Sequence, residues 1–345
     1  MKTRAYIRTL LTILTAVLFA AACSKAERVQ TDQEIVLSPF GTSLTKADSG
    51  PLGIDKVFGV YAYNSACAEG TAWNKPEAWG VSAIYLDNVA FSHKGVSWAG
   101  RDQDYYWPFM GSLMFAGYCP HQSASNSAIT SVDLVPNKVD NNPYLQIGFI
   151  QNPSAMVDLL WFDVKDVAGG TALEKRDEAI PVTFKHALSK VKFTFVDTHH
   201  FYILKYVTLK GLVNQGTFYS GLTPGWMPEL ARSTLRDYSL LAESTAIPET
   251  NPELDSWTSA DQYVIPQYLD GIFPTIGETL DSGVDVVLEF MLTDGFGSQK
   301  IEILLKDYTE RWELGKSYHY TITANAEPIE FGTPTFTITT QTVSM

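Results

Sequence analysis

The chain has 345 residues and a formal net charge of −13, with 18% charged and 12% aromatic residues. That balance suits folded, polar-surfaced domains rather than a disordered chain. With no dense Lys/Arg block beyond the N-terminus, most of the surface would repel a phosphate backbone, which argues against nucleic acid as a partner.

The chain opens on Lys2, Arg4 and Arg8, followed by an apolar core from Leu10 to Ala22 that ends in small residues before Cys23. This pattern predicts a signal peptide over residues 1–22, because the run is shorter than the roughly 20 residues a spanning helix needs. Ala20-Ala21-Ala22-Cys23 resembles the lipobox of bacterial lipoproteins, with Ala20 where Leu is commoner. The resemblance implies a lipidated Cys23 as the mature N-terminus, held to a membrane by acyl chains that contribute about 0.8 kcal/mol per buried methylene. Ordinary secretory cleavage beside an incidental Cys is the alternative.

About 320 residues follow the leader, a natural length for two domains. Residues 23–50 are polar and broken by Pro39, Gly41 and Gly50, with one apolar island, Ile35-Val36-Leu37. They are expected to form a tether that carries a detachable strand over 35–40, or a plain tether. Short β-rich runs at 57–63, 83–91, 112–118 and 156–164 then alternate with turn signals. Trp73, Trp79, Trp98 and Trp107 lie between or beside them. Residues 123–142 are small and polar, a predicted loop with one strand at 131–135.

A second series starts at Ile180 with strands at 180–184 and 188–196. In the latter, Val191, Phe193 and Phe195 alternate with Lys190, Lys192 and Thr194, the pattern of a half-buried strand. Strands at 206–212 and 217–219 precede a loop-rich stretch holding Pro224, Pro228, Pro248 and Pro252. A hairpin is expected between 284–292 and 300–305 through Asp294-Gly295-Phe296-Gly297, where glycine supplies positive φ. Runs at 318–324 and 335–343 close the chain. About seven strands in each half predict an all-β protein of two sandwiches, at 51–177 and 178–345.

Cys67 and Cys119 are the only cysteines beyond Cys23. They are expected either as two buried thiols or as one disulfide, since their separation cannot be read from sequence. No Cys/His spacing suggests a metal site and no portable catalytic motif occurs, so the chain is expected to be neither an enzyme nor a cofactor binder. His199 and His200 are adjacent and would point to opposite faces of a strand. His186 is expected as a satisfied buried histidine rather than a catalytic one. Trp226 and Trp257 are candidates for a glycan-binding surface, whereas Trp107, Trp161 and Trp312 are expected in the core.

Several segments resemble, in order, the fimbrillin-like proteins of Bacteroidales, the fimbrial subunits and their relatives. Tyr105-Tyr106-Trp107-Pro108 with Leu113-Met114-Phe115-Ala116-Gly117-Tyr118-Cys119-Pro120 is one such pair. Asp158-Leu159-Leu160-Trp161 and the stretch Pro181 to Val191 follow. Val264-Ile265-Pro266-Gln267 and the stretch Trp312 to Tyr320 complete the set. The resemblance implies two transthyretin-like β-sandwich domains in tandem after a lipoprotein signal peptide. It further implies an outer-membrane lipoprotein or fimbrial subunit of the cell surface that assembles by strand exchange once a maturation protease removes an N-terminal strand.

Thr45-Lys46-Ala47 matches the family's cleavage segment, with Lys46 in place of Arg. On this view Ile35, Val36 and Leu37 are displaced. The 335–343 segment, with Phe336, Ile338, Thr340 and Thr342 on one period-2 face and Val343 near its end, is the donor strand or simply the last strand of its own domain. The implied partners are other fimbrial subunits, the protease, a membrane through the lipid anchor, and a host glycan or protein receptor. The alternative function is a monomeric surface lipoprotein binding such a receptor.

Overall fold

The computed structural model describes residues 33–41, 53–64, 84–108, 113–123, 127–135, 143–167, 179–197, 203–221, 223–230, 234–242, 256–274, 279–293, 297–325 and 335–345. Its first strands are β1 (Leu37–Gly41), β2 (Val57–Asn64), β3 (Ile84–His93), β4 (Trp98–Gly100), β5 (Leu113–Cys119), β6 (Ile129–Val135), β7 (Tyr144–Ile150) and β8 (Leu160–Val167). There follow β9 (Ile180–His186), β10 (Ser189–Asp197), β11 (Ile203–Val213), β12 (Gln215–Tyr219), β13 (Gly225–Pro228), β14 (Leu235–Leu241), β15 (Ser256–Thr258) and β16 (Gln262–Val264). The last are β17 (Ile272–Pro274), β18 (Thr279–Asp281), β19 (Val287–Thr293), β20 (Ser298–Leu304), β21 (Lys316–Asn325) and β22 (Thr335–Ser344). No α-helix occurs among the described residues.

Strands β1-β4-β3-β2-β5-β8-β9 close into a barrel. Its centre is β5, a nearly continuous apolar run in which every residue from Leu113 to Cys119 is buried. Such a run belongs to a strand covered on both faces. Leu113 and Phe115 point into the barrel with Phe58, Phe91, Trp107 and Phe162. Ala116 and Tyr118 point out with Tyr61 and Trp161. Aromatic rings lie flat on this sheet only because glycines lie beneath them. A Cβ on Gly59 or Gly117 would collide with the Tyr118 or Phe162 ring.

The outward face is covered by a second sheet, ordered β13-β12-β7-β6. Tyr144–Ile150 alternates strictly, burying Leu145, Ile147 and Phe149, although the sequence analysis assigns no strand there. This sheet takes β6 and β7 from before the expected boundary at residues 177/178 and β12 and β13 from after it. β9 also follows that position, yet pairs with β1 and β8 of the barrel. The loop-rich stretch after residue 219 contains β13 and β14, short strands whose prolines and polar residues hide the alternation.

β17 and β18 pair as a separate two-stranded sheet, and the other remaining strands build a sandwich. One sheet runs β15-β10-β21-β22, with β16 also on β10, and the other β14-β11-β19-β20. The expected hairpin is present as β19 and β20, paired from Val287↔Leu304 to Thr293↔Ser298. Val191, Phe193 and Phe195 face inward as expected, joining Phe290, Trp312 and Tyr320 in the core. The Trp312 indole N–H donates to Tyr320 Oη at 2.9 Å.

Buried amides seal the join between the halves. Gln151, fully buried, donates through Nε2 to the carbonyls of Val157 (2.9 Å) and Tyr263 (2.7 Å) and accepts from Val157 N at 3.0 Å. Asn214 Nδ2 donates to the Gln151 carbonyl, and Val213 N donates to Gln267 Oε1, both at 3.0 Å. Hydrogen bonds offset the cost of burying such groups, and those from Gln151 to Tyr263 and from Asn214 to Gln151 cross between the halves.

On the outer face of the sandwich, Glu289 of β19 is 8% exposed and sits between Lys210 Nζ (2.5 Å), Lys300 Nζ (2.6 Å) and Tyr206 Oη (3.1 Å). Burial pushes its carboxyl up, but the hydrogen bonds from Lys210, Lys300 and Tyr206 outweigh burial and hold it at about 2. A depressed folded value adds stability above the ordinary carboxylate range that is lost as pH falls towards about 2. Both lysines are partly exposed, so solvent screens the pair. Glu289→Gln is expected to lower stability at neutral pH by about 1–2 kcal/mol and to flatten the acid limb of a denaturation-midpoint profile. An unchanged acid limb would refute this account of Glu289.

Candidate assembly site

β1 is the strand that closes the barrel. It runs parallel to β9 from Leu37↔Ile180 to Gly41↔Phe184, and it meets β4 antiparallel at Leu37↔Trp98. Just before it, Ile35 N donates to the Tyr105 carbonyl (2.7 Å), Trp107 N to the Gln33 carbonyl (3.1 Å) and Ile180 N to the Val36 carbonyl (2.9 Å). The segment is therefore hydrogen-bonded on both edges.

Its side chains alternate. Ile35, Leu37 and Pro39 are buried, while Val36 and Ser38 are half-buried. Ile35 and Leu37 lie in the barrel core with Phe58, Trp98, Val182 and Phe184. Phe58 packs on Trp98 at 5.2 Å and on Phe184 at 5.3 Å between ring centroids. Burial of two large aliphatic side chains contributes roughly 1.5–3 kcal/mol each. Without this segment β4 and β9 would become free edges flanking an apolar trough, the arrangement that invites another strand.

The second candidate element, β22, lies on the edge of its own sandwich, paired antiparallel with β21 from Lys316↔Ser344 to Asn325↔Thr335. Phe336 and Ile338 pack partly buried against the sandwich core, with Phe336 edge-on to Phe290 at 5.5 Å. Thr340 continues their face, half-buried. Val343 has the opposite parity and is 43% exposed, so it does not share the apolar face of Phe336 and Ile338.

β22 also carries no charge and no proline. The other long edges do carry charge: Asp133 on β6, Arg236 and Asp237 on β14, Lys300 and Glu302 on β20. Charges blunt an edge against pairing, and β22 is not blunted.

The remaining expected residues divide plainly. Cys23, Lys46, Ala47, Cys67, His199 and His200 lie outside the described residues. Cys119 is a buried free thiol whose Sγ lies 3.8 Å from the Val57 carbonyl, and burial pushes it up to about 12. His186 Nδ1 lies 2.8 Å from Asp158 Oδ2, which brings the Asp158–Trp161 segment against the Pro181–Val191 segment. Trp107, Trp161 and Trp312 are buried.

Trp226 and Trp257 do not form an open aromatic surface. The Trp226 ring packs on Phe149 and Phe218, and its N–H donates to the Ala187 carbonyl at 2.5 Å. Trp257 packs on Phe195 at 5.7 Å. Both rings are partly buried against the two cores.

Of the segments that carry the resemblance, Tyr105–Trp107 and Pro181–Phe184 lie along the β1 trough, and others meet at the join of the halves. Ala187 N donates to the Leu159 carbonyl (2.8 Å), Gly315 N to the Leu188 carbonyl (3.0 Å) and Ser189 Oγ to the Glu313 carbonyl (2.7 Å). Gly315 has φ +68, a backbone conformation that glycine adopts without strain.

The sequence profile described as fimbrillin-like matches residues 45–341. No curated protein matches the chain in sequence. Among solved structures, a fimbrial protein from Bacteroides vulgatus is similar at 15% identity and a TM-score of 0.52, covering 90% of this chain and 99% of its own. A candidate cell adhesion protein from Bacteroides ovatus gives 14% identity and a TM-score of 0.52, with 90% and 97% covered. One from Bacteroides uniformis gives 16% and 0.50, with 90% and 98% covered. At these identities the structures share the fold.

The alternation in the closing segment predicts a sharp difference between neighbours. Leu37→Ala is expected to destabilise the barrel by about 2–4 kcal/mol and to raise amide exchange over residues 35–41. Val36→Ala is expected to have less than about a quarter of that effect. Equal effects in denaturant melts would show that the segment is not docked by one face.

Proposed function

The chain belongs to the fimbrillin-like family, and from that membership we propose that it is a structural subunit of a cell-surface fimbria that assembles by exchange of β1 for an extended segment of another subunit and supports adhesion. In this account Cys23 anchors the exported precursor through lipid, and a maturation protease cuts between Lys46 and Ala47. β1 precedes the cut and leaves with the removed peptide. An incoming strand restores the backbone ladder and fills the trough with alternate side chains, the mode known as β-augmentation.

The observation that supports this most is local. β1 is the barrel's closing strand, it is the first strand described, and it lies before the cleavage segment that the family resemblance implies. β22 suits the incoming role through Phe336, Ile338 and Thr340, on an edge without charge. Val343 faces away from them and has no part in filling the trough.

A reversible lock tests the exchange. Ser38 and Pro181 are Cα partners between β1 and β9, and adjacent strands lie within the span a disulfide bridges. In the double variant Ser38→Cys, Pro181→Cys, cutting after Lys46 is expected to leave monomers when the bridge is oxidised and to yield multimers once it is reduced. Size-exclusion chromatography with light scattering, and electron microscopy, read the outcome. Multimers of equal size in both redox states would defeat the proposal.

A further inference from the structure

Glu34 stands one residue before the inward-facing Ile35 and bridges Tyr106 at the corner where β1 closes the barrel. Its Oε1 is buried and has no hydrogen-bond partner. The Glu34 carboxyl lies beside that of Asp104, which is 52% exposed and accepts from Lys94 Nζ at 2.8 Å. A carboxyl next to a carboxylate is favoured in its protonated form.

The surrounding charges do not neutralise the pair. Lys94, in the turn between β3 and β4, is the cation that faces it, and it is 37% exposed. Arg101 and Asp102, in the same 101–107 segment as Asp104, bond to each other at 2.9 Å. Burial first and then the charge of Asp104 push the Glu34 carboxyl above its ordinary value, against the pull of Lys94.

We propose that Glu34 is a proton-dependent latch on the closing strand, tight when its carboxyl holds a proton beside Asp104 and loosened when it ionises. The sign follows from the direction of the shift. A carboxyl raised in the docked state stabilises docking at low pH, and that contribution is lost as pH rises through the raised value. The latch is a property of the intact monomer. Only its consequence, easier release of the strand at neutral and alkaline pH, rests on the exchange proposed above.

Hydrogen exchange of the uncut chain tests it, with rates over residues 35–41 corrected for intrinsic pH dependence and normalised to β5. The wild type is expected to lose about threefold to tenfold in protection between about pH 4 and pH 8. Glu34→Gln is expected to keep its protection across the range, because the amide cannot ionise. Lys94→Met is expected to deepen the fall by removing the facing cation. A flat wild-type profile, a fall in Glu34→Gln equal to that of the wild type, or a pH-independent loss of protection in Glu34→Gln would each overturn the latch. If Glu34→Gln flattens the profile while the reduced double variant Ser38→Cys, Pro181→Cys gives no multimers after cutting, the latch stands and the exchange fails.

Discussion

Complete burial of β5 from Leu113 to Cys119 sets the terms for the rest of the molecule, because a strand apolar on both faces has to be covered on both. The inner cover is the barrel, and it is complete only when β1 lies between β4 and β9. The outer cover is the β6-β7-β12-β13 sheet, which draws strands from both halves of the sequence. One constraint thus produces a join between the halves and a closing strand. The first ties the sandwich to the barrel side through Gln151 and Asn214, and the second leaves the barrel's closure resting on a short segment near the N-terminus.

Much of this was legible in the sequence, for reasons that differ by element. Strands such as β2, β3, β10 and the β19–β20 pair announce themselves by alternation or by glycine-bearing turns, and their observed bounds fall within a few residues of expectation. β7 alternates as clearly, and Asn142-Pro143 and Asn152-Pro153 bracket it with turn signals, so it too was legible, although a long polar stretch precedes it. The pairing of β7 with β12 could not be read at all, since period 2 fixes which face is buried but never names the partner strand. The same limit applies to β22. Parity placed Phe336 and Ile338 on one face, and it should also have excluded Val343, five residues beyond Ile338.

The recognisable family segments serve both the join and the wall of the trough, and the join and the segment that fills the trough constrain sequence differently. At the join, backbone groups of Leu159, Ala187, Leu188 and Glu313 are satisfied in a crowded space. Ala187 leaves room for the Trp226 ring, Ser189 reaches a carbonyl, and Gly315 takes a positive φ. Few residue types do those things. The trough requires only alternate apolar side chains on an extended segment, which many sequences provide. A motif search therefore finds the fold with ease and is nearly blind to the residues that would be exchanged.

For one strand to replace another in the same trough, the resident has to bind well enough to fold the subunit and less well than its successor. Named residues of β1 bear on both conditions. Ile35 and Leu37 fill the core, while Pro39 lacks an N–H for the ladder and Glu34 buries an unpartnered oxygen beside Asp104. β22 carries none of these penalties. It offers an aromatic and an aliphatic anchor on one face, a full complement of backbone donors and no ionisable group, and on its own sandwich only Phe336 and Ile338 pack against the core, each partly buried. Under the proposed exchange, the direction of assembly follows from that difference. The strand that would enter lies at an edge with its two anchors only partly buried, and the segment that would yield carries a proline and a buried carboxyl oxygen.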